Sequence, residues 1–340
     1  MDKLSRVTVL GGGAWGTALA IVLGRNGGHS VTLWAHEAEV FDTMIVRHEN
    51  EAYLPGCPIP ENVTPTNDIA VALKDAEFVL SVMPSHHCRT VFKQMAPHLN
   101  AKMRFVSATK GIENTSLLRM SQVIGETVFM EAGFTPKAAV LSGPSFAREA
   151  AKGDPTAITV ASFDEDLRNS VQQNFSGPTF RIYTSDDVIG VEMGGALKNV
   201  IAIAAGIVEG LGLGHNTAAA LITRGLAEIT RLAVACGAQR DTMAGLAGMG
   251  DLVLTCTGGL SRNRTVGVQL GQGKKLPDII ASMYGMVAEG VLTTNAVVGL
   301  AHKHGIEMPI TDQMFAILND GKPPKDAIKE LMVRPGKSES

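Results

Sequence analysis

The spacing Gly11-x-Gly13-x-x-Gly16 constrains this chain more than any other feature, because of what lies on either side of it. Arg6 to Leu10 alternates into a short β-branched strand, and Thr17 to Arg25 is rich in Ala and Leu and reads as a helix. The glycines therefore join a strand to a helix. A second strand, His29 to Trp34, follows the Gly27-Gly28 break and completes a β-α-β unit with a right-handed crossover. In that setting the glycines allow a tight turn, backbone approach to a pyrophosphate and close helix–strand packing, with the pyrophosphate at the helix N-terminus. A structural glycine turn is the competing reading, and the strand-turn-helix context favours the nucleotide.

About 20 residues beyond such a loop, an acid meets a ribose 2′-hydroxyl or a cation accommodates a 2′-phosphate. Here Ala35, His36 and Glu37 follow Trp34. His36 suits a phosphate edge, Glu37 suits a hydroxyl, and both suit solvated loop positions. The expected cofactor is accordingly NAD or NADP.

Further apolar runs at Phe78 to Met83, Arg104 to Ala108 and Ala138 to Leu141 read as buried parallel strands, followed by the loops PSHH, TKG and SGPS. In a doubly wound sheet these loops fall at the carboxyl ends of strands, where ligands bind. Thr156 to Ala161 and Thr179 to Tyr183 are candidates for two more strands. From Asp187 the chain turns to Ala, Gly, Leu and Ile at helical spacing with no clear strand, and the nearly apolar segment 188–211 suggests a central buried helix. Pro309 begins another segment, and the end, from Arg334, reads as a frayed tail.

At 340 residues two domains are expected. They are a nucleotide-binding domain over 1–187 and a helical substrate-binding domain over 188–334, with a flexible tail at 335–340. A formal charge of −3 provides no diffuse positive field for a nucleic-acid backbone, so an anionic ligand needs a few placed cations. Cys57, Cys88, Cys236 and Cys256 lie far apart, as suits a reducing cytoplasmic setting. The opening, with Lys3 and Arg6 before an apolar run, resembles a signal peptide, but its glycines occupy nucleotide-loop positions. No later segment offers the ~18 uncharged apolar residues of a membrane span. The histidines form no convincing cluster, and no metal site is expected.

GGGAWGTALA, VMPSH, ATKG, LSGPSFA, GGALKN, GMGDLVLTC and SRNR occur in this order from Gly11 to Arg264, and with them the chain resembles the NAD(P)-dependent glycerol-3-phosphate dehydrogenases of bacteria. The resemblance covers nearly the whole chain. It implies a Rossmann domain followed by an all-helical domain with the active site between them. It also implies reversible hydride transfer between sn-glycerol 3-phosphate and dihydroxyacetone phosphate, in the service of phospholipid synthesis.

Alcohol oxidation by hydride transfer needs a group to take the hydroxyl proton. Lys198 is the candidate, because an apolar helix would lower its pKa; the alternative is a lysine that reaches out to water. The resemblance makes it the proton acceptor. Lys110, in ATKG at a strand end, either orients the substrate hydroxyl or is an ordinary surface lysine, and the resemblance implies contact with cofactor and substrate. Asp251 is read as a partner for the ammonium groups, or as a turn residue, with Thr255 as a further hydrogen-bonding group. Ser261, Arg262 and Asn263 open a helix and either hold the substrate phosphate or form a solvated cap; the resemblance favours the anion and turns Arg262 toward the cofactor too.

The resemblance further implies that Gly143 and Ser145 lie near the substrate. It puts Ala14, Trp15, Ala147, Val287 and Glu289 on the cofactor side. Ala14 occupies a position where the family often has Ser, so a hydroxyl contact to phosphate is expected to be missing. A homodimer is expected from symmetry alone. A β-hydroxyacid or 6-phosphogluconate dehydrogenase also joins such a domain to a helical one, but SRNR with ATKG suits a small phosphate monoester better than a sugar-acid carboxylate. A non-catalytic dinucleotide sensor would not need Lys110, Lys198 and Asp251.

Overall fold

The computed structural model describes residues 5–283, 288–336 and 338. Its strands are β1 (Ser5–Leu10), β2 (His29–Trp34), β3 (Val63–Thr66), β4 (Phe78–Ser81), β5 (Arg104–Ser107), β6 (Lys137–Ser142), β7 (Thr156–Ala161) and β8 (Phe180–Ser185). They form one sheet in the order β3-β2-β1-β4-β5-β6-β7-β8. All neighbours are parallel except β6 and β7. Side chains alternate between two cores: Val9, Leu33 and Leu80 enter one, Leu10, Trp34 and Val79 the other. Each face is covered by helices, as a parallel sheet requires.

Strand β3 was not expected from the sequence. Its four residues, Val-Thr-Pro-Thr, are too few for periodicity to register, and Pro65 argues against a strand. It is tolerated because β3 lies at the sheet edge, where one side needs no backbone donor. β4 also stops at Ser81 rather than Met83, and β5 at Ser107 rather than Ala108, which frees Val82, Met83 and Ala108 to line a cavity beyond the sheet. The order of the strands reverses between β1 and β4, and the cavity opens there.

Among the described residues no strand follows β8. The central helix Val188–Gly210 starts at Asp187, whose carboxylate accepts from the Gly190 amide at 2.8 Å. By length and composition it could cross a membrane, yet 94% of its apolar stretch is buried inside the protein. The helices His215–Ala235, Asp251–Thr257, Arg262–Gly271 and Glu289–His304 pack around it. Against Arg262–Gly271 the approach is backbone to backbone: a Cβ at Gly206 would lie 2.1 Å from the Arg264 carbonyl oxygen. This closeness brings the first turn of Arg262–Gly271 to the cleft that Lys198 and Asn199 of the central helix also line.

Candidate active site

The cleft between sheet and helices holds a cavity of about 640 Å³, within the range of ligand pockets. Gly11, Gly13, Ala14 and Trp15 line it, and Gly16 lies behind them. Gly11 has φ +129°, and a Cβ at Gly16 would stand 1.9 Å from the Gly11 carbonyl oxygen, so only glycine allows the loop to fold back on its helix. The helix Ala14–Asn26 begins without a side-chain cap, and nothing lies within 4 Å of a Cβ placed at Gly13. Trp15 Nε1 is buried without a partner. Uncapped amide groups beside open space fit a dinucleotide pyrophosphate. Asn50 fixes the loop by donating to the Gly12 carbonyl at 2.7 Å and to Thr17 Oγ1 at 2.8 Å.

His36 and Glu37 both face this cavity. The Tyr53 hydroxyl donates to the Glu37 carboxylate, 2.9 Å from Oε1 and 2.8 Å from Oε2. Burial, reinforced by Glu37, pushes the Tyr53 pKa up to about 12, so the phenol stays a donor.

At the other end, three elements bring two lysines onto one carboxylate. Lys198 Nζ, on the central helix, donates to Asp251 Oδ1 at 2.5 Å and to Thr255 Oγ1 at 2.7 Å. Lys110 Nζ, beyond β5, donates to Asp251 Oδ2 at 2.7 Å and to the Gly143 carbonyl at 3.1 Å. Asp251 is 1% exposed, whereas Lys110, Lys198 and Thr255 reach the cavity wall. Burial lowers the Lys198 pKa to about 8, with Asp251 opposing and Lys110 assisting the shift. A buried amine that titrates near neutrality can both give and take a proton. Two of its three donors are bound, which leaves one for a ligand oxygen.

The central helix comes close enough because Gly195 carries no side chain: a Cβ there would lie 2.4 Å from Ser142 Oγ. Ser145 lines the cavity, but its hydroxyl donates to the Gly143 carbonyl at 2.9 Å, and Gly143 itself lies behind the wall. Ala147 lines the cavity at the start of its helix.

Ser261, Arg262 and Asn263 line the same cavity. Ser261 is the N-cap of the helix Arg262–Gly271, accepting from the Arg264 amide at 3.2 Å. Asn263 bridges two helices: its Nδ2 donates to Asn199 Oδ1 at 3.0 Å, and its Oδ1 accepts from the Gly290 amide at 2.9 Å. Arg262 opens to the cleft, and the surrounding protein still removes enough water to lower its pKa, against the opposing charge of Glu289. A guanidinium beside a helix start is an anion site.

Sequence models of the two halves of the NAD-dependent glycerol-3-phosphate dehydrogenase family match residues 6–168 (N-terminus) and 187–329 (C-terminus). The chain belongs to this family. The glycerol-3-phosphate dehydrogenase [NAD(P)+] of Koribacter versatilis is 66% identical over 336 residues, covering 99% of each chain. That of Acidobacterium capsulatum is 56% identical over 339 residues, covering 99% of this chain and all of its own. The crystal structure of glycerol-3-phosphate dehydrogenase from Coxiella burnetii superposes with a TM-score of 0.92 at 42% identity, over 97% of this chain and 99% of that one.

In this member of the glycerol-3-phosphate dehydrogenase family, sequence reasoning named part of the cavity wall but missed Tyr53 on that wall and Asn50 and Ser85 behind it, which hold Gly12 and Glu289 in place. Asn50 and Tyr53 sit between β2 and β3 in a segment without a motif, so no local signal marked them. Ser85 lies in the PSHH loop, whose place at a strand end was legible though its partner was not. That partner is Glu289, which lines the cavity and accepts from the Ser85 amide at 3.0 Å and from Ser85 Oγ at 2.7 Å. Val287 lies outside the described residues. Among the described residues no three His, Cys, Asp or Glu side chains gather as a metal site would require.

Proposed function

We propose that this protein is an NAD(P)-dependent sn-glycerol-3-phosphate dehydrogenase, which interconverts sn-glycerol 3-phosphate and dihydroxyacetone phosphate. The observation that carries the reading is the pair of lysines on Asp251, set in one cavity between the uncapped glycine-loop helix and Arg262. A nicotinamide cofactor, NAD or NADP, supplies or accepts the hydride when bound, held by Gly11, Gly13, Ala14, Trp15 and Gly16, with His36, Lys110, Ala147, Arg262 and Glu289 on its side of the site. Lys198 gives its proton to the ketone oxygen in reduction and takes it back in oxidation. Lys110 holds the same oxygen electrostatically, and Asp251 keeps both ammonium groups in place. Gly143, Ser145, Ser261, Arg262 and Asn263 complete the substrate side, with Arg262 pairing the phosphate.

The division we propose is a nucleotide-binding domain over 1–187 and a helical catalytic domain over 188–334, with a tail beyond. The burial of the central helix within the fold supports an enzyme without stable membrane insertion, for which we propose a cytoplasmic setting. A symmetric homodimer is the assembly expected of such an enzyme. Its product supplies phospholipid synthesis. The test is the loss of reduced-nicotinamide absorbance when the purified protein meets dihydroxyacetone phosphate with NADH and with NADPH in parallel. Substrate-dependent loss establishes the reaction and ranks the cofactors. No loss, in protein that still binds dinucleotide, overturns it.

A further inference from the structure

Two glutamates of the helical half hold serines of the sheet half in the same way. Glu192, on the central helix, accepts from the Ser121 amide at 2.7 Å and from Ser121 Oγ at 2.6 Å, with Arg119 also bonded to it. Glu289, the first residue of its helix, accepts from the Ser85 amide at 3.0 Å and from Ser85 Oγ at 2.7 Å. In each, a backbone N–H and a hydroxyl converge on one carboxylate, an arrangement that fixes its direction as well as its charge.

The two clasps differ in where they sit. Ser121 and Glu192 lie away from the cavity, whereas Glu289 forms part of its wall. Ser85 is buried, and Gly111, next to Lys110, presses against it: a Cβ at Gly111 would lie 2.5 Å from Ser85 Cβ and 3.3 Å from Glu289 Oε2. The amide after Glu289, that of Gly290, is bound by Asn263, one residue beyond Arg262. Glu289 is thus held from the sheet side by Ser85 and from the helical side through the turn it begins. The N-terminal end of a helix favours its negative charge.

We propose that Ser85 is a positioning residue for cofactor binding: it aims the Glu289 carboxylate at the cofactor side of the cavity and, with it, clasps the helical half over the glycine loop. The proposal rests on the reading that Glu289 faces the dinucleotide. Ser85 itself touches no reacting atom. Without it, a carboxylate on a flexible stem loses its direction, and the energy of ordering it falls on the binding of the cofactor.

The experiment uses the full-length protein and measures KM for NADH, NADPH and dihydroxyacetone phosphate, kcat, and the melting midpoint, for Ser85→Ala, Ser85→Cys, Glu289→Gln and Ser121→Ala. Ser85→Ala is expected to raise the cofactor KM about tenfold, the size of one lost hydrogen bond to a charged group, with the dihydroxyacetone phosphate KM changed less than about twofold. Ser85→Cys, which keeps the backbone donor and weakens the other, shows the same effect at smaller size and carries the test if the alanine variant does not fold. Ser121→Ala lowers the melting midpoint and leaves the cofactor KM unchanged. If Glu289→Gln raises the cofactor KM while neither Ser85 variant does, the positioning role is overturned and the reading of Glu289 stands. If neither Glu289→Gln nor the Ser85 variants move it, both fall.

Discussion

Lys198 Nζ and Asp251 Oδ1, on two buried residues, are 2.5 Å apart, and the second oxygen of the same carboxylate holds Lys110 at 2.7 Å. One buried anion thus faces two ammonium groups. Asp251 alone would raise the pKa of Lys198, but burial and the second cation outweigh it and bring that value down to about 8. The pair therefore places Lys198 and tunes its proton affinity at once.

Turnover is expected to depend on pH with opposite signs in the two directions. Ketone reduction needs the Lys198 ammonium, so kcat falls as pH rises through about 8. Alcohol oxidation needs the neutral amine, so kcat rises through the same range. Initial rates in each direction at saturating substrate and cofactor check this, and parallel profiles would remove Lys198 from the proton transfer.

Lys198→Ala is expected to lower kcat by a factor on the order of 10²–10⁴, the usual contribution of a positioned acid or base. Dinucleotide affinity stays nearly intact, because the glycine loop is untouched. Asp251→Asn also lowers kcat, since two lysines then face each other without their counter-charge. Steady-state rates beside a fluorescence titration of the reduced cofactor separate the two quantities; near-normal turnover of Lys198→Ala would refute its role.

Gly195→Ala adds a methyl where Ser142 Oγ lies 2.4 Å away. The methyl has to turn the Ser142 hydroxyl aside or, where the packing does not let it turn, push the central helix off the sheet, at a cost of about 1–3 kcal/mol for overpacking, and that helix carries Lys198 one turn further on. A lower melting midpoint together with a reduced kcat is the expected result. Unchanged kcat at lowered stability would mean that the lysine tolerates the shift.

Glu228, on the helix His215–Ala235, is buried and accepts from the Ile310 amide at 2.7 Å and the Thr311 amide at 3.3 Å, at the start of the helix Pro309–Asn319. Burial nonetheless raises its pKa to about 7, against these hydrogen bonds. Between about 4.5, the ordinary value, and about 7 the folded state binds more protons than the unfolded one, so this group favours folding below that window and its contribution is lost as pH rises through it. Glu228→Gln should flatten the fall in stability across the window, as denaturant titrations at a series of pH values will show.

The architecture was largely legible because its signals are local. The glycine spacing between strand and helix, the apolar central helix and the serine that caps the helix Arg262–Gly271 each depend on neighbours within a few residues. Strand β3 escaped for the opposite reason: with four residues and a proline, it exists only because β2 offers an edge on which to pair. The antiparallel entry of β7 beside β6 was equally beyond reach, since strand direction depends on the path of the chain between them.

By itself the sequence determined the β-α-β glycine loop, the helical second half and, through ordered motifs, the resemblance that proved to be the family. Only the tertiary structure decided how those motifs meet. Lys110 and Asp251 are 141 positions apart, and Ser85 and Glu289 are 204 apart. Local propensity carries no information about such pairs. They form because burying the sheet's carboxyl edge against the helical half turns each charge toward the few polar groups that distant elements bring there, and the pKa of Lys198 follows from that burial.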